Sequence, residues 1–520
     1  MLENIRVKNL RSLEDTDEVQ ISPVTVLLGE NSSGKSTFLR IFPLLKQSVE
    51  TNTRSPVLWY GKYVDFGDFD QALTRNNDSK YISIKFGLSV PKSLAASPAS
   101  WLKFYNRISP IDKYSKASVE IILASRGKDG LTRTSGIQVD LEDNHILIEI
   151  NEIGKISSII VNKRNYSMHA DAYTYAQTAR LLPAISAKTD MPVSFRWRHN
   201  YFPEKLKALG IKLLKDYMHG KAKDSAIADA LSNIKLGSKL EMLNSFKRAA
   251  STTTWHKRTS DIRVDSKSFE EISDLVLLLN TPALIAALDE VLDSIFRRVA
   301  YTAPLRATAE RYYRSQDLSV AELDAKGENL AMFVRNLSER EKSKLDTWTT
   351  REFGFKFDVK YSSGHVTAGI EYRDSGESFN LADMGFGFSQ VMPIIVQIWT
   401  LLNKADRHQP DGYDYIYLIE QPELHLHPRL QAKLAETLIK AVIQARKNNI
   451  KISLILETHS ESIINKIGLM TAKGNISKDD ANILIFSKKT ESSGTKVSFS
   501  KYDENGILTN WPYGFFDIEV

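Results

Sequence analysis

An α/β fold with an antiparallel β subdomain and a helical insertion is predicted for this chain of 520 residues. The chain opens on strand-like runs, a glycine-rich loop and a helix. Strand and helix patterns alternate again after residue 300, which argues for an α/β sheet, and the stretch between is first β-like, then helical. At the start, "NIRVKNL" alternates, "VTVLLG" is an apolar run suited to a buried strand, and "STFLRIFPLLKQS" carries apolar residues at helical spacing. Between residues 80 and 165 the runs "YISIKFGLSV", "SVEIILAS", "GIQVDL" and "HILIEI" are separated by Gly, Asp and Asn, the pattern of an antiparallel meander. From 170 to 298 helical patterns dominate, as in "FEEISDLVLLLN" and "ALIAALDEVLDSIFRRVA". After 300, "YDYIYLIE", "RLQAKLAETLIKAVIQARK", "ISLILETHS", "ESIINKIGLM" and "NILIFSK" restore the alternation. The expected domains are a first lobe over 1–95, the β subdomain over 96–165, a basic helical insertion over 166–300, a second lobe over 301–490 and a short terminal domain over 491–520.

Composition is that of a globular protein, 42% hydrophobic and 25% charged. No run approaches the roughly 18 apolar residues a membrane span needs, and "MLENIRVKNLRSLED" is too mixed and charged for a signal or transit segment. There are no cysteines, which excludes disulfides, thiolate metal sites and cysteine nucleophiles; a reducing cytoplasm is the simplest setting. The net charge of +6 is concentrated: residues 195–260 hold 14 Lys and Arg against 5 Asp and Glu. Such an excess suits either a nucleic-acid or acidic-protein contact or a solvated helical face.

Residues 29–37, "GENSSGKST", fit G-x-x-x-x-G-K-[ST], between a buried strand and an amphipathic helix. Gly29, Asn31 and Gly34 are the loop positions whose backbone N–H groups would turn around phosphate oxygens. The helix N-terminus adds partial positive charge. Lys35 is expected on the β and γ phosphates, Ser36 on Mg2+ and Thr37 on the α phosphate. The nucleotide expected here is ATP.

A phosphate loop needs an acid on a neighbouring strand to hold the hydrated metal. "YIYLIE" supplies Glu420 at a strand's C-terminal end, where ligands of α/β sheets sit. "ISLILETHS" ends in Glu457, Thr458, His459 and Ser460, with His459 placed to reach a γ phosphate. In "LADMGFGFSQVMPIIVQIW", Gly385 and Gly387 precede Ser389 and Gln390 at the start of an apolar helix, a second anion-binding surface. One nucleotide does not need two such surfaces from one chain, whereas two nucleotides shared across a symmetric dimer do.

In this order the segments resemble the ABC-type ATPase head of SMC and RecF proteins and of bacterial defence ATPases. "GENSSGKST" resembles Walker A, "GFGFSQ" the signature loop, "IYLIEQ" Walker B, "PELHLHP" the D-loop and "ETHS" the histidine switch. "YTAPLRATAERYYR", "IEQPELHLHP" and the terminal "WPYGFFD" are similar to AAA15/AAA21-type bacterial ATPases with a short C-terminal domain of unknown function. Relatives of that group include ATPases of Septu-like and retron anti-phage systems, which act with a separate HNH nuclease. The resemblance implies a head-to-head homodimer or higher homo-oligomer with ATP between the heads, Gly387, Ser389 and Gln390 covering the partner copy's nucleotide, and a separate effector. The chain departs from the pattern in three places. The signature loop lacks L-S-G-G-Q, the Walker B acid is Glu420 rather than Asp, and Gln421 stands where Glu usually serves as general base. An amide cannot accept the proton of the attacking water, so slow hydrolysis is expected, with Glu423 and Glu457 as partial substitutes.

Other signals are weaker. Glu423, His425 and His427 have metal-like spacing but fall in the D-loop. "DFGDFD" has the letters of a kinase motif without the rest of its set and reads as a turn. Arg306, Arg311 and Arg314 suit phosphate contact or internal ion pairs. "FRWRHNYF" and "TTTWHKRTS" interleave aromatic and basic residues, suiting nucleic-acid stacking or ordinary packing of Trp197 and Trp255. With 61 residues after His459, no appended Toprim nuclease domain is expected. A DNA-repair ATPase of RecF or SMC type, binding DNA directly, is the alternative function. A transporter subunit is the other; the missing L-S-G-G-Q argues against it.

Overall fold

A computed structural model describes residues 1–75, 79–98, 114–127, 131–188, 203–314, 320, 322–408, 414–448, 450–488 and 494–511. Two compact units emerge, each assembled from separate stretches of chain. One comprises Met1–Gln20 and Leu44–Arg297, the other Ile21–Pro43 and Arg298–Val520. The phosphate loop thus groups with the second half of the chain, not with the first 95 residues and the meander. The expected boundary at residue 95 falls inside the short helix Lys92–Ala96.

The first unit holds a nine-stranded sheet, antiparallel throughout, in which Tyr81–Pro91, Tyr114–Arg126, Leu131–Leu141, Asn144–Ile150 and Ile156–Val161 follow one another as neighbours. Tyr114–Arg126 alternates between buried and more exposed residues, as a sheet with one covered face requires. Helices Glu204–Lys215, Asp224–Asn233, Lys239–Lys247, Thr253–Thr259 and Lys267–Arg297 follow. Trp255 is fully buried; its ring lies 5.1 Å from Phe246, and its indole N–H donates to the Phe246 carbonyl at 3.0 Å. It is therefore a packing residue, so "TTTWHKRTS" loses its stacking group. Its neighbour Arg258 donates to the carbonyls of Asp216 and Met218 at 2.7 and 2.9 Å. "FRWRHNYF" lies outside the described residues, as do residues 512–517 of the terminal motif. In "DFGDFD" the Asp68 carboxylate caps the one-turn helix Phe69–Ala72, which makes that stretch a turn.

The second unit is built on a seven-stranded sheet in the order Val299–Thr302, Asp414–Glu420, Lys451–Glu457, Val24–Gly29, Ala481–Ser487, Lys496–Tyr502, Leu508–Thr509. The first five strands are parallel and the last two antiparallel. All six residues of Val24–Gly29 are buried, as expected for a central parallel strand covered on both faces. A smaller sheet pairs Phe355–Ser362 with His365–Tyr372. Its turn is Ser363-Gly364, both in the left-handed region at φ 49° and 81°, the backbone a tight two-residue hairpin needs.

Two helices, Lys267–Arg297 and the part of Phe386–His408 up to Asn403, are long and apolar enough by length and composition to cross a membrane. The expectation of no such run therefore needs correcting. Within the units 72% and 67% of these apolar windows are buried, as in core helices of a globular protein.

Candidate nucleotide site

The site lies within the second unit, where the phosphate loop, two parallel strand ends and the His459 turn are joined by strand pairing. Val24–Gly29 pairs with Lys451–Glu457, which pairs in turn with Asp414–Glu420. Gly29 leaves its strand at φ 148°, and a Cβ there would stand 2.2 Å from the Phe486 carbonyl oxygen, so only glycine fits. Ser32 and Gly34 are left-handed at φ 61° and 100°, the kind of alternation that turns N–H groups toward an anion. Asn31 is exposed and Thr37 half-buried. The buried Lys35 ammonium donates to the carbonyls of Gly29 and Glu30 at 2.8 and 2.6 Å, holding the loop closed on itself. Burial depresses its pKa, against the opposing charges of Glu457, Glu30 and Glu423.

The helix that follows places Ser36 and Arg40 one turn apart, hence on one face. Each meets a different acid. The Ser36 hydroxyl donates to Glu457 Oε1 at 2.7 Å. Arg40 donates through Nε and Nη2 to the two oxygens of Glu420, both at 2.8 Å. Tyr301, one strand over, adds its hydroxyl to Glu420 Oε1 at 2.7 Å. Glu420 and Glu457 are register partners across their strands. Ser36, expected together with Glu420 around Mg2+, thus meets Glu457, while Arg40 and Tyr301 bond both oxygens of Glu420. Burial, then the adjacent Glu420 charge, pushes the Glu457 carboxyl up to about 7, and its second oxygen is buried with no hydrogen-bond partner among the described residues. An orphaned carboxylate oxygen beside a phosphate-loop serine is a donor set that fits Mg2+, a hard cation that takes few protein ligands.

Beyond the strands, Gln421 sits at φ 45° with its N–H donating to the Glu457 carbonyl at 2.7 Å. Arg306 is 4% exposed; its guanidinium donates to the Glu420 and Gln421 carbonyls at 2.6 and 3.2 Å. It is an internal strut, and desolvation lowers its pKa to about 10. Arg311 pairs with Asp383. Glu423 accepts from the Thr458 hydroxyl and the His459 N–H, both at 2.7 Å. His459 is exposed, and partial desolvation together with the Lys35 charge holds its pKa below the usual histidine value. His425 and His427 go elsewhere: His425 meets the Phe386 ring edge-on at 4.6 Å, and His427 caps the helix Pro428–Lys447.

The signature segment sits differently from expectation. The helix already begins at Phe386, and Ser389 and Gln390 are 5% and 1% exposed. The Gln390 amide is spent on the Arg306 backbone, accepting its N–H at 3.3 Å and donating to its carbonyl at 3.0 Å. A Cβ on Gly387 would lie 2.6 Å from the His425 carbonyl oxygen, so that glycine serves close packing against the D-loop. Gly385 at φ 79° and Phe386 at 44% exposure are the parts open to solvent.

Sequence reasoning missed Arg40 and Tyr301. The Ser36-x-x-x-Arg40 spacing was a usable signal, since it puts a hydroxyl and a cation on the helix face behind the loop.

Residues 1–464 match the family model of an AAA ATPase domain (AAA_15), and residues 476–518 match a protein family of unknown function (DUF3696). No curated protein matches the chain. Among solved structures, the SMC head domain from Thermotoga maritima is 8% identical, with 96% of this chain and 98% of that one covered, at a TM-score of 0.31. The family match spans most of the chain and agrees with the phosphate loop on its parallel sheet: this α/β protein belongs to the AAA_15 family of ATPase domains.

Proposed function

We propose that this chain is a Mg-ATP-driven switch whose heads pair and whose slow turnover controls a separate effector. The observation that carries this reading is the gathering of the phosphate loop, Glu420, Glu457 and His459 at the C-terminal ends of neighbouring parallel strands, the position where α/β sheets bind ligands. Bound Mg-ATP supplies the phosphoanhydride and the charge-neutralising cation. Lys35 and the loop N–H groups hold the phosphates, His459 reaches the terminal phosphate, and Glu423 fixes the turn that carries His459. Gln421 orients water without accepting its proton, and absence of a general base costs roughly 10²–10⁴ in rate. The ATP-bound state is then long-lived. The exposed Gly385–Phe386 tip, with Ser389 at its base, covers the nucleotide of a second copy.

The effector is a separate protein, an HNH-type nuclease in anti-phage defence being the best match to the resemblance. The basic stretch 195–260 is the proposed contact for that protein or for nucleic acid. The setting is cytoplasmic, without a membrane role. Direct, salt-sensitive duplex binding strengthened by ATP would instead favour a repair ATPase.

The test is steady-state ATP turnover beside light scattering, with and without Mg-ATP, for wild type and Gln421→Glu. Slow wild-type turnover, ATP-dependent assembly and faster hydrolysis by Gln421→Glu are expected. Fast wild-type turnover unchanged by the substitution would sink the clamp reading.

A further inference from the structure

We infer that Glu457, not the Walker B-like Glu420, is the carboxylate that shares the nucleotide's divalent cation with Ser36. The inference rests on the nucleotide-binding reading and names the metal ligand within it. Two acids end adjacent strands in register, and both are within reach of the helix behind the phosphate loop. Glu457 has the more coordination to spare. Glu420 accepts three hydrogen bonds, two from Arg40 and one from Tyr301, which occupy both its oxygens. Its side chain is 2% exposed, so water cannot take over from those donors. A carboxylate offers about four lone-pair sites, and a planar guanidinium held in the bidentate fork is the tightest partner it finds among side chains.

Glu457 is the opposite case. It is 3% exposed, yet its only hydrogen bond to a side chain comes from Ser36, at 2.7 Å, and Oε2 has no partner among the described residues. Ser36 is the hydroxyl that the phosphate-loop pattern assigns to the metal. A buried, half-satisfied carboxylate is costly unless a proton or a cation completes it. A divalent cation held between the Ser36 hydroxyl oxygen and Glu457 removes that cost, and its remaining positions are left to phosphate oxygens and water, as Mg2+ prefers. Arg40 then has a distinct duty. By neutralising Glu420 it keeps a second negative charge from competing for the cation one strand away.

The test uses the full-length chain and a non-hydrolysable ATP analogue, with affinity measured in EDTA and in Mn2+, and Mn2+ binding followed by electron paramagnetic resonance. Wild type and Glu420→Gln are expected to gain affinity from Mn2+. Glu457→Gln is expected to keep its metal-free affinity and lose at least about tenfold of the Mn2+ gain, the least that disturbing a metal's ligand shell usually costs. Glu457→Asp, which keeps the charge but shortens the reach, should fall between. The assignment is overturned if Glu457→Gln retains the full gain. It is equally overturned if Glu420→Gln abolishes the gain with metal-free binding intact, or if Glu457→Gln loses metal-free binding too, which would make the residue structural. Should Glu420→Gln fail to fold, the two Glu457 variants decide. If wild type binds no nucleotide in either condition, the ATPase-switch reading falls and this assignment falls with it.

Discussion

The strand ending in Glu420 and the strand ending in Glu457 lie side by side, in register, and close on the same residue type. Their surroundings differ. Glu420 faces a guanidinium and a phenol that were brought to it by the phosphate-loop helix and the next strand. Glu457 faces one hydroxyl and the charge of its neighbour. One acid is held by three hydrogen bonds, while the other, its carboxyl pushed up to about 7, keeps an oxygen without a partner among the described residues. The partners of each acid at this end of the sheet are set by which residues the adjoining helix projects, four positions apart, and not by the acids themselves.

The largest effect should come from breaking the satisfied side. Arg40→Ala leaves Glu420 buried with Tyr301 as its one remaining partner. Losing one member of a buried ion pair costs about 3–5 kcal/mol, and Arg40 is 35% exposed, so the lower end is expected in urea unfolding. A change below about 1 kcal/mol, the level of a surface pair, would show that the two acids are not so different.

The next effect reads the unsatisfied side through pH. The Glu457 value of about 7 lies above its ordinary 4.5. Its contribution to stability is therefore complete below the ordinary value and is lost as pH rises through the raised one. Between about pH 5 and pH 8, nucleotide-free wild type should lose on the order of 2–3 kcal/mol relative to Glu457→Gln. Parallel stability curves for the two proteins would contradict this.

The smallest effect concerns a third carboxylate nearby. Glu423 accepts from Thr458 and from the His459 backbone, so Glu423→Gln should cost about 1–2 kcal/mol. Its signature should be faster amide hydrogen exchange at His459, while the Mn2+ gain in nucleotide affinity stays at the wild-type level. Loss of that gain would add Glu423 to the metal site and blur the contrast.

Local pattern was enough wherever the signal is carried by neighbours in sequence. The phosphate loop was legible because its glycines, lysine and serine are contiguous and sit between an apolar strand and a helix. The meander was legible because alternation along each strand reports one covered face. The hairpin at Ser363-Gly364 leaves a local trace too, a turn dipeptide between alternating runs.

What stayed hidden depends on which side chains the fold brings together. Arg40 and Glu420 are separated by 380 residues, and although the spacing from Ser36 marks Arg40 as a cation beside the loop, nothing local says which acid it meets. Gln390 reads as an exposed signature residue until the Arg306 backbone is seen to take both ends of its amide. Trp255 among basic residues reads as a stacking platform until Phe246 closes over it. By itself the sequence determined the α/β class, the phosphate loop and which strands end in acid, since these follow from periodicity and from the few residues a tight loop tolerates. Only the tertiary structure decided that segment 21–43 joins the strands after residue 298 and that Arg40 takes Glu420 and leaves Glu457 to Ser36. Strand order and register set those contacts, and both are properties of the assembled sheet that no single segment encodes.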